Sequence, residues 1–248
     1  MTSIRDTIDV RKNNLYHSLD RLSRTITEEG IEAEWPFFTV AAFEVVAGGA
    51  RSHSGAAQIL YLPIVDQEEL PKWKKYSSEN LDWIERSQRQ ESMRRRQLQT
   101  SASSDIVLPD GEIAPTYGAG PYLPIWMKSP PPATGLNSTT RINMDLSRTL
   151  QDLQSAAAAT KTSVLSPVIE SGEELDSLLD LIRGDDPVSL PRAVMLTPVF
   201  ESAKDTPIVG FLLSELPLSQ YVENLLPEFA RGIAIVMQNT CNQFYTFE

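Results

Sequence analysis

The sequence is poor in several residue types, and each shortage argues against a class of protein. It has one cysteine, Cys241, so no disulfide can form within the chain. This favours a reducing compartment only mildly, because a chain of this size can fold without disulfides. Basic residues number 22 against 33 acidic ones, and the net charge is −11. That balance disfavours a nucleic-acid partner and docking on anionic lipid, since both need a basic surface.

Long apolar runs are also missing. No run approaches the ~20 residues that a membrane-spanning helix needs. Residues 1–10 lack the apolar core of a signal peptide. We therefore expect the chain as given to be soluble and untargeted. Hydrophobic residues make up 41% and charged residues 22%, which is ordinary for a globular protein of one large or two small domains.

Catalytic and metal-binding patterns are scarce. The two histidines, His17 and His53, have no metal-ligand spacing around them, and the chain has no GxSxG nucleophile elbow. Paired carboxylates are one remaining candidate for hydrolysis, although solvated acids are normal near helix ends and turns. These pairs are Glu28–Glu29, Glu68–Glu69, Glu173–Glu174 and Asp185–Asp186. We predict no metal site and no cofactor.

The first 30 residues are predicted to form one long amphipathic helix. Apolar residues recur at spacings of three, four and seven over residues 3–29, and Gly30 is a suitable stop. Two interpretations stay open. The helix packs on its own domain, or it is a signalling helix that pairs with a second copy along Ile8, Leu15 and Leu22.

Beyond this helix, strand and helix patterns alternate. The residues predict helices at 68–97, 147–159, 173–182 and 218–226, and strands at 57–65, 122–127, 141–146, 163–169, 193–200, 206–216, 233–237 and 244–247. Residues 35–55 carry no helix prediction, because Pro36 and a glycine-punctuated polar stretch interrupt them. The last two strands have the form of a hairpin. The pattern favours an α+β fold of two small units, with a boundary between Ser171 and Pro191.

A group of aromatic and polar residues is a candidate ligand pocket. Adjacent strand-like segments carry Tyr122, Trp126, Arg141, Asn143 and Ser166. Small-molecule pockets combine an apolar lining with a few polar groups. Packing in the core is the alternative for Trp126, and the pocket interpretation requires a cavity beside it.

Short motifs along nearly the whole chain carry a resemblance to a known family. In order, they include Trp35-Pro-Phe, Phe43-Glu44, Ala50-Arg51, Ser54-Gly55-Ala56, Trp73, Trp83-Ile84, Gly120-Pro-Tyr-Leu-Pro-Ile-Trp126, Ser129-Pro-Pro-Pro132, Leu196-Thr-Pro-Val-Phe200, Leu225-Leu-Pro-Glu228 and Asn239-Thr-Cys241. Each motif is weak alone. Together they resemble the ectodomain of diatom-type receptor guanylate cyclases.

The resemblance implies a fold similar to CHASE sensor domains, in which a long N-terminal helix carries two tandem PAS-like subdomains. The helix would cover residues 1–30, a membrane-distal sensor subdomain 31–170, and a membrane-proximal subdomain 171–248, truncated at its C-terminus. In such sensors a polar residue on one strand and a hydroxyl residue on a later strand contact the ligand. Those positions look like Asn143 and Ser166. The usual acid at the first position is absent, so no ligand identity carries over.

The resemblance also implies an expected function. Receptors of this type have two membrane helices around the sensor and a cytoplasmic cyclase domain after it. The chain as given has neither, so we expect no cyclase activity of its own. We expect a small-molecule-sensing ectodomain on the extracellular face of a membrane, attached only through flanking helices, and the sequon at Asn137 would agree with that location.

Expected partners are an unidentified small molecule and a second copy of the chain. Two rival functions remain: a stand-alone interaction protein without a ligand, and a hydrolase that uses a carboxylate pair.

Overall fold

A computed structural model describes residues 4–98, 121–132, 144, 147–169, 173–183, 191–222, 235–238 and 244–247. The fold is mixed α+β and begins with the long helix that the sequence predicts. The helices are α1 (Ile4–Gly30), α2 (Phe43–Ser54), α3 (Leu70–Glu79), α4 (Asp82–Leu98), α5 (Arg148–Thr160), α6 (Glu174–Arg183) and α7 (Ser219–Val222). No helix in these ranges is long and apolar enough to cross a membrane.

Five strands form one antiparallel sheet. They are β1 (Gln58–Pro63), β2 (Met127–Ser129), β3 (Val164–Leu165), β4 (Arg192–Phe200) and β5 (Ile208–Pro217), and their order across the sheet is β2-β1-β5-β4-β3. A separate antiparallel pair, β6 (Ile235–Gln238) and β7 (Phe244–Phe247), confirms the predicted hairpin.

The sheet crosses the boundary that we predicted between residues 170 and 171. β1, β2 and β3 come before this boundary, whereas β4 and β5 come after it. Yet β5 pairs with β1 from Gln58 opposite Glu215 to Pro63 opposite Gly210. The five-stranded sheet therefore takes strands from both predicted subdomains, because the β4–β5 hairpin completes the sheet that β1 begins.

Two helical segments differ from the prediction. The helix predicted over 68–97 is split into α3 and α4, because Asn80 leaves helical geometry and its Nδ2 donates to the carbonyl of Tyr76 at 2.8 Å. The sequence did not predict α2. It ends at Gly55, whose φ of 72° suits glycine and whose N–H donates to the carbonyl of Arg51 at 3.0 Å.

Two predicted strands are shorter than expected. Of the strand predicted at 122–127, only Met127 lies in a strand, as the first residue of β2, and Tyr122 forms an isolated bridge with Val65. Pro124, between them, has no N–H for a ladder hydrogen bond. The strand at 163–169 keeps only β3 and an isolated bridge between Ile169 and Arg192. The strand predicted at 141–146 lies outside the described residues, apart from Met144.

Helices cover both faces of the sheet. Neighbouring residues of β1, Ile59 and Leu60, point to opposite faces and belong to different apolar clusters. The first cluster packs α1 and α2 against one face and includes Leu19, Phe43, Trp126 and Met195. The second packs α5 and α6 against the other and includes Leu150, Leu179, Val194 and Leu213. Burial on both faces explains why β1 has no apolar–polar alternation.

The apolar side of α1 is part of this core. Leu15 is 4% exposed, and Leu19, Leu22 and Ile26 are fully buried against the chain itself. This corrects the expected pairing surface, because Leu15 and Leu22 cannot meet a second copy while they fill the core. Ile8 remains 39% exposed. Pairing of two copies through the N-terminal helix stays a prediction.

A buried ion network ties α6 to the sheet. Glu215 on β5 has no exposed surface, and its carboxylate accepts hydrogen bonds from Arg192 of β4 at 2.7 Å and from Gln58 of β1 at 2.8 Å. Arg183 of α6 binds the same carboxylate, and Arg192 in turn binds Asp176 of α6. A buried charge is tolerated only when such partners replace its hydration. Four elements are therefore held together at one carboxylate.

Removal of this carboxylate tests the network. We expect Glu215→Ala to lower the free energy of unfolding by about 3–5 kcal/mol, because it leaves buried guanidinium charge without its partner. Urea denaturation followed by circular dichroism measures the change. Glu201→Ala, at an exposed position just beyond β4, is the matched control and should cost little. A loss below about 1 kcal/mol in Glu215→Ala, within the range of an exposed ion pair, would contradict this role.

Candidate functional site

Three of the predicted site residues lie outside the described part of the chain. These are the pocket candidates Arg141 and Asn143 and the glycosylation candidate Asn137. Their predicted roles therefore stay predictions.

Trp126 is a core residue and not the wall of a cavity. It is 0% exposed, and its indole Nε1 donates to the carbonyl of Phe38 at 2.7 Å. The rings of Trp73, Tyr76 and Trp83 lie 5.2, 5.5 and 6.1 Å from its own ring. A side chain beside a water-sized cavity would expose some of its surface. The cavity expected beside Trp126 is thus filled by aromatic rings.

Tyr122 and Ser166 also use their polar atoms inside the chain. The Tyr122 hydroxyl donates to the side chain of Gln67 at 3.0 Å. The Ser166 hydroxyl donates to the carbonyl of Pro167 and accepts the N–H of Val194 at 2.9 Å. Ser166 therefore fastens the segment after β3 to β4. The described contacts give both residues a structural role, and their contact with a ligand stays a prediction.

The structure instead shows a groove between α1 and the sheet. Its volume is ≈ 590 Å³, within the range of small-molecule sites. α1 forms one wall, with Tyr16 and Arg24 among its lining residues. The opposite wall comes from the end of β4 and the two turns beside it, including Phe200, Lys161 and Lys204. We call this the α1–β4 groove.

Two hydrogen bonds hold the walls of the α1–β4 groove in place. The buried hydroxyl of Ser23 on α1 donates to the carbonyl of Pro198 on β4 at 2.6 Å. On the opposite side, the hydroxyls of Ser163 and Thr197 lie 2.9 Å apart and hydrogen-bond. Both bonds involve β4 or its direct neighbour, so a molecule in the groove would contact α1 and the sheet together.

The turn between β4 and β5 is also well ordered by its own contacts. The hydroxyl of Thr206 accepts the N–H of Ser202 at 3.1 Å and that of Ala203 at 3.2 Å. The Lys161 side chain, at the end of α5, donates to the carbonyl of Asp205 at 3.0 Å. A second, shallower depression of ≈ 600 Å³ lies between α5 and this turn and shares Lys161. These hydrogen bonds fix the backbone from which the side chains of the turn project.

A second polar cluster lies between α2, α4 and β2. Arg51 of α2 has its guanidinium 3.4 Å from Glu44 and 3.5 Å from Glu91 of α4, and it donates to the Ser129 hydroxyl of β2 at 3.1 Å. Glu44 is 1% and Glu91 6% exposed. Burial raises the pKa of Glu44 to about 8. Arg51 opposes this shift, and a hydrogen bond with Glu91 adds to it. Near neutral pH Glu44 therefore keeps its proton.

The Glu44–Arg51–Glu91 cluster joins α2, α4 and β2 by buried polar contacts. None of the three residues lines either of the two grooves described above. In the ranges that the structure describes, no group of three His, Cys, Asp or Glu residues could hold a metal ion. Of the carboxylate pairs proposed from sequence, Glu28 and Glu29 are exposed, and Glu28 lies on the α1 wall of the groove.

Sequence reasoning missed the groove, although one signal was present. Ser23 and Thr27 are 4% and 6% exposed on the apolar side of α1, and polar residues on such a face need a reason. The other wall depends on how two distant turns meet, which no local pattern shows. A comparison with known protein families found no match for this chain, and no curated protein matched it either.

The proton on Glu44 makes stability depend on pH. The folded protein retains a proton that the unfolded chain releases above its ordinary pKa of 4.5. The contribution of Glu44 to the free energy of unfolding is therefore fully present below pH 4.5. It decreases as the pH rises from there and is lost once the pH passes about 8. The expected slope is about 1.4 kcal/mol per pH unit between these limits.

Glu44→Gln tests this assignment, because an amide has no proton to lose. Urea denaturation from pH 5.5 to 8.5 should give a flatter profile for Glu44→Gln than for the wild type, and Glu68→Gln at an exposed position should follow the wild type. Parallel profiles for wild type and Glu44→Gln would show that Glu44 is already ionised in the folded protein.

Proposed function

We propose that this chain is a small-molecule-sensing module in which the ligand occupies the α1–β4 groove. The observation that carries the proposal is that one wall of the groove is the long helix and the other is the sheet with its adjoining turns. A ligand that binds both walls has a different affinity for each arrangement of α1 against β4. Such a difference is what allows binding to shift a conformational equilibrium.

The sheet supports the PAS-like part of this proposal. An antiparallel sheet in the order β2-β1-β5-β4-β3 fits the PAS-like fold that the family resemblance implies. In this view residues 31–217 form one PAS-like unit, in place of the boundary at residue 170. The β6–β7 hairpin, which pairs separately, would be the start of the second, membrane-proximal unit.

The resemblance to receptor guanylate cyclase ectodomains suggests how the signal would leave the module. In the proposal, α1 continues toward a membrane anchor on the extracellular side, and the cyclase domain belongs to the parent receptor. The first turns of α1 fit this path because Asp6, Ile8, Asp9 and Val10 are exposed. A second copy of the chain would pair along exposed residues of α1 and not along its buried side.

A ligand screen with a blocked groove tests the proposal. Ala203 lines the α1–β4 groove, and Ala203→Trp would fill it with an indole. A compound that binds only the folded protein raises its free energy of unfolding by RT ln(1 + [L]/Kd), and the melting temperature rises with it. We expect this effect to be lost in Ala203→Trp. It should be kept in Ala159→Trp, at an exposed position on α5 outside the groove.

Two results would count against sensing through this groove. One is a metabolite library that leaves the melting temperature of the wild type unchanged, which would favour a stand-alone interaction protein. The other is a stabilising compound that acts equally on Ala203→Trp, which would place the ligand elsewhere in the molecule.

A further inference from the structure

We infer that the α1–β4 groove takes a small organic anion, with a carboxylate or phosphate group near Lys161 and Lys204 and an apolar body against Tyr16 and Phe200. This inference rests on the proposed function and adds the chemical class of the ligand. The observation that supports it is that the charged residues lining one wall are lysines, whereas the α1 wall has charged residues of both signs.

The wall opposite α1 carries only positive charge. Its charged lining residues are Lys161, at the end of α5, and Lys204, in the β4–β5 turn. The Lys161 side chain donates to the carbonyl of Asp205, the residue next to Lys204, so both lysines belong to the same wall. In the described ranges, no carboxylate forms an ion pair with either lysine. The acids of the same turn, Glu201 and Asp205, are exposed and are not among the residues that line the groove.

The α1 wall is different because its charges are mixed. Asp20 forms an ion pair with Arg24 one turn later, and both side chains are more than half exposed. Glu28 adds a further negative charge on this side. An anionic group is therefore attracted to the lysine wall and repelled by the acids of α1. This fixes which end of a ligand faces which wall.

The remainder of the lining suits an apolar or aromatic body. Tyr16 of α1 and Phe200 of β4 are both partly exposed within the groove, so each has free ring surface to cover. Ser202 also lines the lysine wall, and its hydroxyl can donate to an oxygen of the anionic group. The Thr162 hydroxyl already donates to Thr160 at 2.9 Å. Pockets of this kind gain affinity from apolar contact and orientation from a few polar groups.

The experiment compares matched probes on the full chain. Phenylacetate and phenyl phosphate carry the anionic group, and 2-phenylethanol has a similar body without the charge. Titrations followed by two-dimensional ¹H–¹⁵N NMR should give saturable shifts of the Ser202, Lys204 and Thr162 amides with at least one anion. The neutral alcohol should bind about tenfold more weakly or worse, because it forms no charge-assisted hydrogen bond. Higher salt should lower the affinity of the groove for the anion, because salt screens exposed charges.

Substitution of the exposed lysine provides the residue-level test. Lys204→Gln should weaken binding of the anion by about tenfold. Lys74→Gln, at an exposed position on α3, should leave it unchanged. Lys204 has no hydrogen bond to maintain in the described ranges, so the variant should keep the wild-type melting temperature. Lys161→Gln is a second variant whose stability is checked in parallel.

Two outcomes would overturn the inference while the proposed function stands. They are equal binding of the neutral and anionic probes, and anion binding that Lys204→Gln does not change. If neutral metabolites stabilise the wild type but not Ala203→Trp, the groove is a ligand site of another class. If no probe and no metabolite binds in the groove, both the inference and the proposed function fail.

Discussion

A carboxylate without any exposed surface, Glu215, holds the centre of this fold together. Its donors come from three different elements, with Gln58 on β1, Arg183 on α6 and Arg192 on β4. A charge in the core is stable only while such donors are in place. The network therefore favours one order of the central strands, β1-β5-β4, and one position of α6. Apolar contacts on the same face stabilise the fold by burying surface, but they do not specify the orientation of the elements, because the hydrophobic effect is non-directional.

The helices α6 and α1, on opposite faces of the sheet, are thus held by different kinds of interaction. On the α6 face, ion pairs with defined geometry allow little movement. On the opposite face, α1 is held by the burial of Leu19, Leu22 and Ile26 and by one buried hydrogen bond, from Ser23 to β4. The α1–β4 groove lies on this side, so a ligand in the proposed site would contact α1 and the sheet together.

Much of the local structure could be predicted from the sequence, and most of the site could not. Regular apolar spacing gave α1, and continuous apolar runs gave β1, β4 and β5, because these signals are local. α2 was missed because its glycines suggested a loop, and Gly55 in fact only ends the helix. Trp126 was a pocket candidate with core packing as the alternative, and no local pattern decides between them because its three aromatic partners are distant in sequence. The groove depends on Lys161 and Lys204, from turns that only the folded sheet brings together.

The central claim is that a ligand in the groove couples α1 to the sheet. Hydrogen–deuterium exchange, with and without a compound that raises the melting temperature, tests this most directly. The account predicts slower exchange on both walls together, in α1 around Ser23 and in the turn after β4 around Ser202, with α6 unchanged. Protection confined to α6 or to α3 and α4, with no change in α1, would contradict it.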